Sequence, residues 1–382
     1  MRSLVLALAL GSTACAPLAP AVATGAQEAA AATEPVDVSE LAAELRKGTD
    51  VPGFSIALWQ AGELKAIGAD GVRAKGEDAA VTTDDLWHLG SCTKAMTAAL
   101  CAIAAERGLL SLDDTLGELL GARDVALHEA AAAIRLSQLL DHTSGLPAND
   151  SRLMARRLDD PRTLREARKD IARKLLADAP ATAPGTEYLY SNLGYIVAGV
   201  VVEEVFDLDW EGVMRRELFE PLGMTRAGFG PPGSADVLDQ PRGHVGSGRI
   251  RRALPPGPRA DNPAVLGPAG TVHAPIEDWL RFLALFARSD PGDDSILSSA
   301  SITRMGTPAE GRGYALGWSV TEREWARGKA LNHAGSNTMW FALAWLAPER
   351  DLAVVAVANA GDTEAREACD RAIGTLVRRH AE

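Results

Sequence analysis

Residues 340–358 read WFALAWLAPERDLAVVAVA. Two apolar runs, Trp340 to Leu346 and Leu352 to Ala358, flank the turn-forming quartet Pro348-Glu349-Arg350-Asp351 and predict an antiparallel strand pair. A further strand is expected from Tyr314 to Thr321. Near the other end of the chain, Phe54 to Trp59 (FSIALW) and Leu64 to Ala69 enclose Gln60-Ala61-Gly62-Glu63 and predict a hairpin. An isolated hairpin is marginal in water, so these N-terminal strands must join the C-terminal ones in one sheet. The intervening sequence reads as helices and loops, and Glu364 to Arg379 as a closing helix over the sheet.

The expected fold class is therefore α/β of the α+β kind. An antiparallel sheet comes from both chain ends (about 36–90 and 310–382), and a mainly helical region (about 91–309) is inserted between them. A seam between two such parts forms a cleft, a common place for ligands. Residues 228–270 are rich in Gly, Pro and Arg without periodicity, and a loop of that length is expected to serve as a functional rim.

Bulk properties narrow the partners. Of 382 residues, 47% are hydrophobic and 24% charged, ordinary values for a globular chain. The net charge of −12 repels phosphate backbones and anionic lipid heads, which argues against nucleic acid. Past the first twenty residues no apolar run approaches the roughly 18 needed to span a bilayer.

The start of the chain reads as an export signal: Arg2, the apolar run Leu4 to Leu10, then Gly-Ser-Thr-Ala-Cys. Ala14-Cys15-Ala16 and Ala21-Val22-Ala23 both offer small-x-small cleavage sites, but Pro17 follows the first and the second lies far from the apolar core. The segment resembles a bacterial lipoprotein signal, with residues 1–14 removed and lipid on Cys15, although Ser12 stands where an aliphatic residue is usual. This reading, a periplasmic or membrane-anchored lipoprotein, is favoured over plain secretion. Residues 15–35 then form a Pro/Ala-rich tether. Of the four cysteines, Cys92, Cys101 and Cys369 match no metal or CxxC spacing and read as small core residues.

Three blocks carry the chemistry. The first is Ser91-Cys92-Thr93-Lys94, opening a helix that Gly108 can end. Helical positions i and i+3 share a face, so the Lys94 amine comes within reach of the Ser91 hydroxyl. A serine alcohol needs a base beside it. A lysine serves as one only when burial or a neighbouring cation lowers its pKa. Taken alone, the same spacing also describes a capped helix start with a solvated lysine. The second block is Tyr190-Ser191-Asn192, where a loop ends and a helix begins (Leu193 to Phe206). A phenolate near the Lys94 cation could take the serine proton, and the two would titrate as a pair; in isolation, the block is a packed aromatic with an Asn cap. The third is Asn332-His333-Ala334-Gly335-Ser336-Asn337-Thr338, either a turn between strands or a strand whose glycine admits a substrate close to the backbone.

In this order the blocks resemble the serine β-lactamase and penicillin-recognising family, in particular its class C β-lactamase and esterase branch. Trp87-His88-Leu89-Gly90, Leu139 to Leu146 (LLDHTSGL), Glu220-Pro221-Leu222-Gly223-Met224 and Gly267-Pro268-Ala269-Gly270 fit the same pattern, which runs from about Val36 to the C-terminus. The resemblance implies a β-lactamase/transpeptidase-like fold, Ser91 as nucleophile, Lys94 as its partner and Tyr190 as general base and acid. It further implies substrate contacts from Asn192, His333, Gly335 and Ser336, and an oxyanion hole from the N–H groups of Ser91 and Ser336. The chain departs from the family at His333, where a lysine is usual. Histidine, with an ordinary pKa near 6.5, is mostly neutral at pH 7, which favours neutral acyl substrates over carboxylate-bearing ones.

The expected function is a serine hydrolase working through an acyl-enzyme on Ser91, on esters or amides, with D-amino-acid peptides and β-lactams within range. The alternative is a non-catalytic module of the same fold that binds cell-wall peptide. No G-x-S-x-G elbow, H-E-x-x-H or phosphate loop occurs. No cofactor or metal is expected, since the seven histidines do not cluster with carboxylates; His88, His142 and His273 read as hydrogen-bonded structural residues. Trp340 reads equally as cleft lining or core. The partner expected is a small-molecule or peptide acyl substrate, with the oligomeric state left open.

Overall fold

The computed structural model describes residues 34–123, 125–150, 162–292 and 294–381. The expected signal segment (1–14), Cys15 and the tether, apart from its last two residues, lie outside these. The central sheet has seven strands: β1 (Val36–Asp37), β2 (Gly53–Gln60), β3 (Glu63–Gly71), β4 (Ser319–Arg323), β5 (Gly328–Ser336), β6 (Phe341–Ala347) and β7 (Leu352–Ala358). They lie in the order β1-β3-β2-β7-β6-β5-β4. The two chain ends therefore meet at the β2–β7 pairing, where Val355 faces Ala57 and Val354 faces Leu58. All pairs are antiparallel except the two-residue β1, which runs parallel to β3.

Helices cover both faces of this sheet, which explains why β7 is apolar at every position instead of alternating. Val355 and Val357 point into the core shared with the inserted helices, while Val354 and Ala356 point toward the terminal helices Ser39–Arg46 and Thr363–His380. The β2–β3 turn takes Ala61 and Gly62 both at positive φ (+50° and +90°), the backbone that matches the twist of a two-residue hairpin.

Two expectations are corrected. The strand expected at Tyr314 to Thr321 is paired only over Ser319–Arg323. Before it the chain doubles back, with Tyr314 bridged to Ser319 and Gly317 at φ +85° pressed against the backbone of the Ser91 helix at Ala95. The middle of the chain is also not free of strands. Trp87–His88, Gly228–Phe229 and Val272–Ala274 form a small sheet, whose members are too short to show a periodicity. Cys92, Cys101 and Cys369 are free thiols in the core, and Trp340 is core, edge-on to Trp87.

Candidate active site

Ser91 sits in a 3₁₀ turn, Gly90–Cys92, that runs directly into the helix Thr93–Glu106. One face of this helix is stitched to the segment Gly267–Val272. Lys94 Nζ donates to Ala269 O (2.6 Å), Thr97 Oγ1 donates to Pro268 O (2.8 Å), and Thr93 Oγ1 accepts the Val272 N–H (3.1 Å). Lys94 also reaches Ser91 Oγ at 3.0 Å, as the i, i+3 spacing requires.

Tyr190 comes from the opposite wall. Its loop is held by the 139–146 segment: His142 accepts the Ser191 N–H at Nδ1 (3.1 Å) and the Leu189 N–H at its carbonyl (2.8 Å), and its ring packs 4.3 Å from that of Tyr190. Ser191, not Asn192, caps the following helix Asn192–Phe206, accepting the Gly194 N–H. So fixed, the Tyr190 hydroxyl donates to Ser91 Oγ at 2.8 Å. The structure thus places an amine and a phenol on one serine oxygen, from segments about a hundred residues apart.

The third wall is β5. Its pairing with β4 runs only from Gly328 to Asn332, whereas its pairing with β6 continues to Ser336. The segment His333–Ser336 therefore has a free edge beside Ser91, in a cavity of about 550 Å³. A side chain at Gly335 would put its Cβ 2.0 Å from Leu89 O and 2.8 Å from the Ser91 amide nitrogen; one at Gly90, which has φ +50°, would lie 2.4 Å from the Ser336 nitrogen. Backbone is packed on backbone here, so only glycine fits at either position. This contact brings the Ser91 and Ser336 amides to the same place.

On the other side of Ser91 a cavity of about 280 Å³ is lined by Asn149, Asn192, Asn262, Gly270 and Ser336. Asn192 donates to Asn149 Oδ1 (2.9 Å), facing the cavity wall, while the two partners of Lys94 Nζ are Ser91 and Ala269. Asn149, Asn262 and Ala269 were not singled out from the sequence. Asn262 lies in the aperiodic 228–270 stretch, the one signal that this region borders the site.

Electrostatics follow from burial. Lys94 is wholly buried, and loss of hydration draws its ammonium from 10.5 down to about 7. That corresponds to on the order of 5 kcal/mol against the charged form. Burial acts the other way on Tyr190, pushing its phenol upward despite the Ser91 hydrogen bond. The phenolate expected from the sequence is thus the costly form, and the neutral lysine the accessible base.

His333 also departs from expectation. Its ring is buried, Nε2 lies 3.0 Å from the Tyr314 hydroxyl, and Nδ1 lies 2.8 Å from Ala334 O. Burial, then the nearby Lys94, lowers its pKa to about 3 instead of leaving it near 6.5. It is a neutral wall residue, not a charged hook for a carboxylate.

With the geometry in place, comparison identifies the relatives. Residues 38–377 match the family model described as Beta-lactamase, and the chain belongs to that family. It is 29% identical over 330 residues to "Penicillin-binding protein 4" of Amycolatopsis lactamdurans, covering 83% of each chain. It is 30% identical over 307 residues to "Monacolin J acid methylbutanoyltransferase" of Aspergillus terreus, covering 74% of this chain and 73% of that one. The fold superposes on a class C beta lactamase from Rhodobacter sphaeroides with a TM-score of 0.68 at 21% identity, over 89% of this chain and 99% of the other. The architecture is β-lactamase/transpeptidase-like.

A histidine that gains its proton only near pH 3 carries no charge between pH 5 and 8. The ratio of kcat/KM for a carboxylate-bearing ester to that for its matched neutral ester is therefore expected to stay flat across that range, as far as the enzyme's charge at His333 is concerned. A ratio that climbs about tenfold as pH falls from 7.5 to 5.5 would show a protonated imidazole binding the carboxylate.

Proposed function

We propose that the chain is an exported serine hydrolase that cleaves neutral esters or amides through an acyl-enzyme on Ser91. The observation that carries this reading is the Ser91 hydroxyl held between Lys94 Nζ (3.0 Å) and Tyr190 OH (2.8 Å). Neutral Lys94 accepts the serine proton as Oγ attacks the carbonyl carbon, and the Ser91 and Ser336 N–H groups hold the resulting oxyanion. The tetrahedral intermediate collapses by expelling the alcohol or amine. Tyr190, kept protonated by burial, donates to that leaving group and is reprotonated from the Lys94 ammonium. Water then attacks the acyl ester by the same proton path and releases the acid. His333, neutral and enclosed, supports the preference for substrates without a carboxylate. Relatives named for penicillin binding and for acyl transfer agree with acyl chemistry, and D-amino-acid peptides and β-lactams fall within the same class.

A fluorophosphonate probe is expected to label wild-type protein once, on Ser91, and to leave Ser91→Ala unlabelled. In the same preparations, nitrophenyl esters of short acids should turn over faster than cephalosporins, and Ser91→Ala should hydrolyse neither. Turnover by Ser91→Ala at the wild-type rate would exclude the acyl-enzyme.

The pH dependence separates the two candidate bases. Lys94 is a base only without its proton, so labelling of Ser91 should rise with pH, pass its midpoint near 7 and level off above it. A rise that continues beyond pH 10 would assign the base to the Tyr190 phenolate.

The leader and Cys15 support export with lipid anchoring. Labelled palmitate is expected to enter the full-length protein in a bacterial host and to be absent from Cys15→Ser. Equal incorporation in both, or none in either, would leave plain secretion as the reading.

A further inference from the structure

The chemistry above leaves one buried polar network beside Ser91 without a task. His88 and Asp261 have side chains 0% and 5% exposed, with His88 Nε2 2.8 Å from Asp261 Oδ1. His88 Nδ1 accepts the Gly90 N–H at 3.1 Å, which fixes the residue just before Ser91 in its left-handed conformation. Since Nδ1 accepts, a neutral His88 carries its proton on Nε2, facing the carboxylate. Asp261 Oδ1 also accepts Asn337 Nδ2 at 2.8 Å. Asn337 Oδ1 in turn accepts the N–H groups of Met339 (3.2 Å) and Trp340 (3.1 Å), which fixes the turn that follows Ser336. The same Oδ1 takes the Asn262 N–H (2.6 Å), and Asn262 Nδ2 donates to Gly270 O (3.1 Å) on the cavity wall.

One carboxylate oxygen therefore ties together the turn before Ser91, the turn after Ser336 and the wall of the cavity. These segments are remote in sequence, and the backbone donors proposed for the oxyanion lie on the first two. We infer that Asp261, acting through His88 and Asn337, is a positioning residue that sets the distance between the Ser91 and Ser336 N–H groups. The inference rests on the acyl-enzyme reading of the site. A charged acceptor suits the task because charge-assisted hydrogen bonds are shorter and stronger than neutral ones. Accuracy matters because a misplacement of about 1 Å at a reacting centre costs on the order of 10²-fold in rate. Asp261 lies in the otherwise irregular 228–270 stretch, so the site is built partly by a segment with little secondary structure of its own to hold it.

The test compares wild type, Ser91→Ala, Asp261→Ala and Asn337→Ala. Three quantities are measured: the acylation rate with p-nitrophenyl butyrate, inhibition by butylboronic acid, which becomes tetrahedral on the serine, and inhibition by butyrate, which stays planar. Asp261→Ala should slow acylation about 10²–10³-fold and weaken the boronic acid by a similar factor, while butyrate inhibition stays within about threefold. Asn337→Ala, which removes one arm only, should show the same pattern at about tenfold. If Asp261→Ala does not fold by circular dichroism, Asn337→Ala decides the matter by the same comparison. Folded variants with acylation and boronic acid affinity within about threefold of wild type would overturn the inference, as would equal weakening of boronic acid and butyrate, the mark of a generally damaged site. Ser91→Ala distinguishes the two levels. If it is inert while the Asp261 and Asn337 variants match wild type, only the positioning role fails; if it still turns over ester, the acyl-enzyme reading fails as well.

Discussion

An amine without water is the constraint around which the site is arranged. Lys94 is enclosed by the Tyr190 and Tyr195 rings, whose centroids lie 4.9 and 5.5 Å from Nζ, with one carbonyl and one hydroxyl as its hydrogen-bond partners. No carboxylate is among those contacts to hold its proton on, so the full cost of burying an ammonium falls on the charged form. The aromatic faces favour the cation somewhat, but desolvation outweighs them. A serine hydroxyl placed against such an amine meets a base poised near neutrality, and the phenol on its other side stays protonated for the opposite reason of charge: burial disfavours the phenolate.

The fold sustains this by enclosing the Ser91 helix on several sides. The central sheet supplies β5, whose unpaired end lies against the serine turn. The inserted helices supply Tyr190 through the His142 segment, and the Gly267–Val272 segment closes over Lys94. Because the sheet is assembled from both chain ends, the serine turn and the β5 edge, over two hundred residues apart, come into contact only in the completed domain. The site is a product of the tertiary structure and not of any one supersecondary unit.

The parts of this legible in sequence are those with a strong local signal. Leu352–Ala358 was readable to the residue because a run buried on both faces is apolar at every position. Ser91 and Lys94 were readable because helical spacing alone brings them together, and Tyr190 because a loop-to-helix boundary marked it. The short strands around Trp87 and Val272 were not, since two or three residues carry no period. Nor was the state of His333, because its charge depends on burial and on Lys94 and Tyr314, which its own neighbours in sequence do not reveal. Asp261 was invisible for a related reason: its partners His88 and Asn337 are long-range, and its surroundings in sequence read as loop.

The titration of Lys94 tests the central claim most directly. With lysine labelled at Cε, the Lys94 resonance assigned by comparison with a Lys94→Arg variant should move through a midpoint near pH 7. A midpoint near the ordinary lysine value of 10.5 would mean that the amine stays charged at neutral pH, and that the buried lysine is not the base that activates Ser91.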